Sequence, residues 1–240
     1  MNHLKANIKR EANKKGKFNI LSEPIKGEVY IAGIDPIPFG DKNISDGSDY
    51  AIIVGGLYSG ELVAYYTERS MDSDYVVGNG ILLQEYYASE SFPDGAPAMI
   101  ESNRGEVALK VYEQKGKLNL LAKQASHLGK EFIRKNGRFG WSNNDMQGKG
   151  TNPKANDFLV QYLKLHAEKI RFMRLIDELH RFPKGNNDLL DALKGWLILY
   201  NELEISKVKK FEQPKTTLRP YVTLENGVSV RKWMEVPIRN

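Results

Sequence analysis

Apolar residues change their spacing several times along the chain, and each change marks an element. Val29–Asp35 (VYIAGID) is a short apolar run stopped by Pro36, Asp49–Tyr58 (DYAIIVGGLY) is β-branched in its first half, and Glu61–Glu68 (ELVAYYTE) follows a Ser59-Gly60 turn signal. Runs of this length predict strands, and their short links predict an antiparallel meander. Asp72–Ala88 predicts a helix, with Asp72 or Ser73 as its cap and Tyr75, Val76, Ile81, Leu82, Leu83, Tyr86 and Tyr87 as its apolar positions. Gly78 and Gly80 weaken that helix by about 1 kcal/mol each. Ala96–Glu101 reads as a buried parallel strand, because a helix precedes it. A second helix over Arg104–Gln114 and a further short strand over Leu118–Ala122 follow, and helical spacing returns at Asn156–His166, Ile170–Arg181 and Asp188–Leu203. This order predicts an α/β fold, a mixed sheet with helices on its faces.

Three segments fall outside the pattern. Residues 1–27 are polar and basic and end in Pro24 and Gly27, which reads as a linker or arm. Residues 129–151 are rich in Gly, Asn and Lys with Phe139 and Trp141 embedded, which reads as an exposed excursion or hairpin. Residues 204–240 are basic and broken by Pro214, Pro220 and Pro237, which reads as a tail or a short hairpin around Asn226-Gly227. The central domain is therefore expected over residues 28–203.

Composition narrows the chemistry. There is no cysteine and only four histidines, so a metal site here must lean on oxygen donors, which favour hard cations such as Mg²⁺ or Mn²⁺. No apolar run approaches the roughly 18 residues of a membrane span, and the basic N-terminus lacks the apolar core of a signal peptide, so a soluble intracellular protein is expected. Charge is blocked. Residues 18–101 hold three basic and fourteen acidic side chains, net −11, whereas residues 102–184 hold seventeen and eight, net +9. Such blocks suit a protein that gathers carboxylates around cations and grips a polyanion beside them; blocks that intermix in space and cancel are the alternative.

The carboxylates sit at element ends. Asp35 closes the first strand, Glu101 closes the strand after Ala98-Met99-Ile100, and Asp188 opens the helix DLLDALKGWLILY with Asp191 one turn later. Grouped carboxylates repel one another and persist mainly where cations neutralise them. Two cations about 4 Å apart would activate water against a phosphodiester and stabilise the leaving oxygen. Each acid also has a plain structural reading: a strand-end Asp as a turn former, Asp188 as a first-turn acid, with Asn187 an equally good cap.

At these residues the chain resembles the nuclease domain of phage terminase large subunits, a family of ribonuclease H-like fold. The resemblance rests on Gly33-Ile34-Asp35-Pro36 with Gly47-Ser48-Asp49-Tyr50-Ala51, on Ile100-Glu101-Ser102-Asn103-Arg104-Gly105, and on Asn186-Asn187-Asp188-Leu189-Leu190-Asp191-Ala192-Leu193, and it spans about residues 28–203. It implies Asp35, Glu101 and Asp188 as a catalytic metal triad holding two Mg²⁺ or Mn²⁺ ions, with Asp191 a further metal ligand and Asp49 an auxiliary residue or a turn former. One departure is Asn186-Asn187, where the family commonly carries His and a second acid. The resemblance also implies cleavage of concatemeric viral DNA during packaging in the host cytoplasm. The implied partners are double-stranded DNA, an ATPase motor domain, and portal and small terminase proteins. No phosphate-binding loop of G-x-x-x-x-G-K-[ST] form occurs, so the chain reads as the nuclease portion without its motor.

Phosphate contacts are expected from the basic block, at Arg104, Lys130, Arg134, Lys135, Arg138, Lys149 and Lys154. Phe139 and Trp141 either stack on nucleotides or, the favoured reading, pin the excursion to the core. His127 and His180 are candidate proton donors to a leaving group, against the commoner structural role of a lone histidine. Two other functions fit the same residues: a Holliday-junction resolvase of the same fold, and a non-catalytic DNA-binding or assembly module in which the acids are structural.

Overall fold

The computed structural model describes residues 17–37, 48–133, 137–143, 151–212, 216–225 and 228–237, with backbone alone from 206 onward. The chain divides into two compact units, residues 1–202 and 203–240. The strands of the first unit are β1 (Phe18–Ile20), β2 (Tyr30–Asp35), β3 (Tyr50–Gly56), β4 (Leu62–Glu68) and β5 (Ala98–Ile100). Its helices are α1 (Ser73–Tyr86), α2 (Glu106–Gln114), α3 (Thr151–His166), α4 (Met173–Arg181) and α5 (Asp188–Glu212), the last of which runs on past the unit boundary. In the second unit Thr216–Glu225 (β6) and Val228–Pro237 (β7) pair antiparallel over their whole length, on either side of residues 226–227.

The sheet runs β1-β4-β3-β2-β5. β2, β3 and β4 form the expected antiparallel meander, and β5 joins β2 in parallel with Ile34 opposite Ile100. Two local expectations change. Phe18–Ile20, inside the segment read as an arm, adds an edge strand to β4, where the Phe18 ring stacks on Tyr66 with centroids 4.5 Å apart. Leu118–Ala122 is not a full strand. Leu118–Leu120 forms a 3₁₀ turn, because the Leu120 carbonyl is taken by the Gln84 side chain rather than by a ladder, and only Leu121 bridges to Ala98.

Strand parity gives the sheet two different faces. Tyr30, Ala32 and Ile34 of β2 point with Ile52, Val54 and Tyr66 into an apolar core closed by Val77, Ile81 and Tyr87 of α1 and its flank and by Val111 and Tyr112 of α2. Asp72 caps α1 by accepting from the Tyr75 N–H at 3.0 Å. Gly80, costly for a helix, leaves room for Tyr50, whose hydroxyl would lie 2.4 Å from an added Cβ. On the opposite face lies α5. A Cβ on Gly33 would stand 2.0 Å from the Ala192 carbonyl oxygen and 2.2 Å from the Trp196 nitrogen, and one on Gly195 would stand 2.8 Å from the Met99 oxygen. The helix therefore rests backbone to backbone on β2 and β5, a contact only glycine permits. No helix among the described residues is long and apolar enough to cross a membrane.

Candidate functional site

The glycine contact fixes where the acids meet. Asp35 lies two residues past Gly33, about 7 Å further along β2 and on the same face. Asp191 and Asp188 precede Gly195 on α5, about 6 and 10 Å back toward its N-terminus. The Asp49 N–H, just before β3, donates to Asp188 Oδ2 at 2.9 Å, so the helix start faces the carboxyl end of β2. Glu101 follows Ile100, donates its own N–H to the Ile34 carbonyl at 2.9 Å, and so comes to stand beside Asp35. Asp35, Glu101, Asp188 and Asp191 all line one cleft of about 410 Å³, together with Ser48, Asn103, Arg104, Asn143, Asn152 and residues 185–187.

The excursion supplies one wall. Trp141 is fully buried and bridges to Glu101, with the Trp141 N–H on the Ile100 carbonyl at 2.9 Å and the Ser102 N–H on the Trp141 carbonyl at 2.7 Å. Two residues on, Asn143 Nδ2 donates to Glu101 Oε2 at 3.3 Å. Trp141 thus pins the excursion to the sheet, and the stacking role considered for it is excluded by its burial. Phe139 is partly buried against the core and carries Arg138 6.0 Å above its ring.

Burial and crowding act together on the acids. Desolvation raises the Asp35 carboxyl well above the usual range, and Glu101, Asp191 and Asp188 push it in the same direction, while Arg104 pulls it down. Glu101 is pushed up to about 7, first by desolvation and then by Asp191; the Asn143 hydrogen bond, Arg104 and Lys194 oppose the shift. Asp188 is also raised to about 7 by desolvation, against the Asp49 hydrogen bond and the Arg174 charge.

Several of the residues that hold this site escape a linear reading of the chain. Arg174 of α4 donates to Asp49 Oδ2 at 2.9 Å, to Glu178 at 3.0 Å and to Thr67 at 2.9 Å, and its Nη2 stands 3.7 Å from Asp188. Glu178, buried, accepts in turn from the Leu190 N–H at 2.9 Å, tying α4 to the first turn of α5. Asp49 also accepts from Arg69 at 2.9 Å. The auxiliary candidate Asp49 is therefore a clamp on Asp188 through its backbone. Helical spacing alone gives Arg174 no signal beyond a basic residue on an amphipathic helix.

The expected phosphate contacts scatter. Arg104 is exposed and lines the cleft. Lys130 and Arg138 are exposed outside it, and Lys154 of α3 is exposed but pairs with Glu131. Arg134, Lys135 and Lys149 lie outside the described residues. Neither candidate histidine lines the cleft. His127 instead meets Glu202, with its Nδ1 2.5 Å from Oε1 and its N–H on the same carboxylate, and His180 is exposed on α4.

The donor set fits hard divalent cations: carboxylates and amide oxygens line the cleft, and the buried Oδ1 of Asn187, one of the lining residues, has no hydrogen-bond partner among the described residues. Among the described residues no three acidic or histidine side chains stand close enough to form a ready ligand group.

No family model and no curated protein matches the sequence. Solved structures match its fold. The crystal structure of the large terminase nuclease from the thermophilic phage G20c aligns with 76% of this chain and 88% of its own at a TM-score of 0.51 and 11% identity. Crystal structures of that nuclease with bound zinc and with bound magnesium align with 79% of this chain, and with 90% and 89% of theirs, at a TM-score of 0.49 and 12% identity. The mixed five-stranded sheet flanked by helices is thus the fold of that nuclease, as the sequence motifs lead one to expect.

Proposed function

We propose that this chain is a divalent-metal-dependent endodeoxyribonuclease of terminase type, which cuts concatemeric viral DNA during genome packaging by phosphodiester hydrolysis. The observation that supports this most is the meeting of Asp35, Glu101, Asp188 and Asp191, from two strands and a helix, around one cleft. A purely structural role is a poor account of Asp35, Glu101 and Asp188, because raised carboxyls around one cleft cost stability that a bound cation returns. A bound pair of Mg²⁺ or Mn²⁺ ions supplies activation of water and neutralisation of the leaving oxygen.

The protein's own part is to hold geometry. Asp35 and Glu101 extend from hydrogen-bonded neighbouring strands, so their spacing is set before substrate arrives. Asp188 is fixed by the Asp49 N–H and by Arg174. Asn143 orients Glu101. Arg104, exposed and lining the cleft, would contact a phosphate near the scissile bond, and the exposed Lys130, Arg138 and Lys154 would contact the duplex backbone on charge grounds. The sequence proposals for Arg134, Lys135 and Lys149 stand on the same charge argument. An ATPase motor domain and portal and small terminase proteins are the partners this function calls for, in the cytoplasm of the host cell.

The test is cleavage of supercoiled plasmid by the full chain with Mn²⁺. Asp35→Asn is expected to remove cutting while the melting curve stays cooperative. Undiminished cutting by the pure variant takes Asp35 out of the mechanism. A wild-type chain that binds DNA but cuts with no divalent ion favours the non-catalytic module instead.

A further inference from the structure

The acids of the cleft do not stand on equal terms. Asp191 already has a cation, because Lys194 Nζ lies 2.8 Å from its Oδ1. Lys194 is 3% exposed, and three elements hold it there. Asp191 precedes it by one turn of α5, Asn152 Oδ1 of α3 lies 3.5 Å away, and the Phe182 ring after α4 faces the ammonium with its centroid at 5.0 Å. Burying a lysine costs desolvation and rotamer freedom, so a well-held ammonium at this place must be matched by the carboxylate it meets. It is too enclosed to reach a polynucleotide. Asp188 likewise has Arg174 at 3.7 Å. Among the described residues no cation stands within ion-pair distance of Asp35 or Glu101.

We propose that Lys194 is a built-in counter-cation that competes with a divalent ion for Asp191 and so makes the two ion positions unequal. Asp35 and Glu101 would hold the tighter ion. The second, served by the acids of α5, stays weak while the ammonium holds Asp191, because a dication arriving there meets a fixed positive charge at close range. A phosphodiester entering the cleft adds the negative charge that Lys194 has neutralised, so the second position fills with substrate in place. Lys194 acts here as a positioning residue through Asp191. The proposal rests on reading the cleft as a two-ion site.

The experiment is a titration of the full chain with Mn²⁺ in the absence of nucleic acid. Free ion is counted by its electron paramagnetic resonance signal, and melting is followed in parallel. The wild type is expected to bind one ion tightly and a second at least about tenfold more weakly, the scale of one partly buried charge pair. Lys194→Gln should tighten the weak position about tenfold and the tight one by less, since the Lys194 charge also acts on Glu101, and Lys194→Arg should keep the inequality. Should the glutamine variant not fold, Asp191→Asn, at a partly exposed position, carries the test: the weak ion is lost and the tight one stays. Two equal affinities in the wild type, a glutamine variant that binds no better than the wild type, or loss of the tight ion in Asp191→Asn each overturn the proposal. Absence of any Mn²⁺ binding by the wild type overturns the two-ion reading itself, and the role of Lys194 with it.

Discussion

On one face of the sheet Tyr30, Ala32 and Ile34 of β2 meet the side chains of α1 and α2, while on the other Gly33 of the same strand meets the backbone of α5. The first face is held by interlocking apolar volume. Its geometry is averaged over many contacts, and any one can be trimmed with the rest still in place. The second is held by close approach at a few points, with no side chain between helix and strand to absorb an error. Rigidity of the second kind is what a set of charged groups needs if they are to keep their spacing without mutual contact. The carboxylates lie on that second face: Asp35 two residues from Gly33, Glu101 beside it at the end of β5, and Asp188 and Asp191 one to two turns from Gly195.

Two substitutions one residue apart should separate these materials most sharply. Gly33→Val places carbon within about 2 Å of the Ala192 oxygen and the Trp196 nitrogen, both backbone atoms that no rotamer change can move. The expected result is loss of a cooperative fold, or a penalty beyond the 4–5 kcal/mol or so that marks exceptional mutations. Ile34→Ala, pointing to the other face, leaves a cavity and should cost about 2–5 kcal/mol with cooperative unfolding retained. Urea melts of both variants make the comparison. A Gly33→Val protein as stable as Ile34→Ala would mean that α5 is free to lift, and the account of how the acids are spaced would have to be given up.

Only the α5 face carries raised carboxyls of the cleft, and this gives a smaller, pH-dependent effect. Glu101 and Asp188 both have folded values of about 7, above the usual range near 4. The folded protein therefore holds protons that the unfolded chain has released, and the slope of stability with pH is negative between those values. The contribution of these groups is best at acid pH and is lost as pH rises through about 7. In the metal-free protein, the melting temperature relative to a Glu101→Gln, Asp188→Asn variant should fall from pH 5 to pH 8. Saturating Mn²⁺ should flatten that fall, because ions that bind the native state favour the ionised acids. A difference between the two proteins that does not change with pH would show that these acids are not raised.

Part of this contrast can be read from the chain before folding. The strand runs ending in Asp35 and Glu101 declare acids at a rim, whereas the close backbone approach at Gly33 and Gly195 emerges only from the packing. The supports are harder to see. Arg174, Glu178 and Lys194 look like ordinary helix-surface charges, since Arg174–Glu178 and Asp191–Lys194 are local helix pairs, while the contacts of Arg174 with Asp49 and Asp188 and of Lys194 with Asn152 reach elements whose packing no local period encodes. The edge strand at Phe18–Ile20 is hidden by the basic residues before it, and the 3₁₀ turn at Leu118–Leu120 by the distant Gln84 that captures its carbonyl. Trp141 is read in the sequence as pinning the excursion to the core in preference to stacking on a nucleotide, and its full burial agrees.

The smallest expected effect tests how the excursion serves the α5 face. Asn143 is held beside Glu101 by the buried Trp141 two residues earlier and by Asn103, which donates to its carbonyl, and its hydrogen bond to Glu101, at 3.3 Å, is long. Asn143→Ala removes one charge-assisted bond beside a partly exposed position, which should cost at most about 1.5 kcal/mol in stability. Its sharper consequence is electrostatic. The amide donates to the ionised carboxylate and so holds the Glu101 value down; without it that value should climb above about 7. A proton then competes more strongly with a cation at neutral pH, and Mn²⁺ affinity at pH 7 should fall while affinity at pH 8.5 is nearly restored. Carboxyl-carbon NMR titration of Glu101 in the two proteins measures the shift directly. An unchanged value would reduce Asn143 to a structural neighbour of the cleft and leave Trp141 with no part in setting its charge.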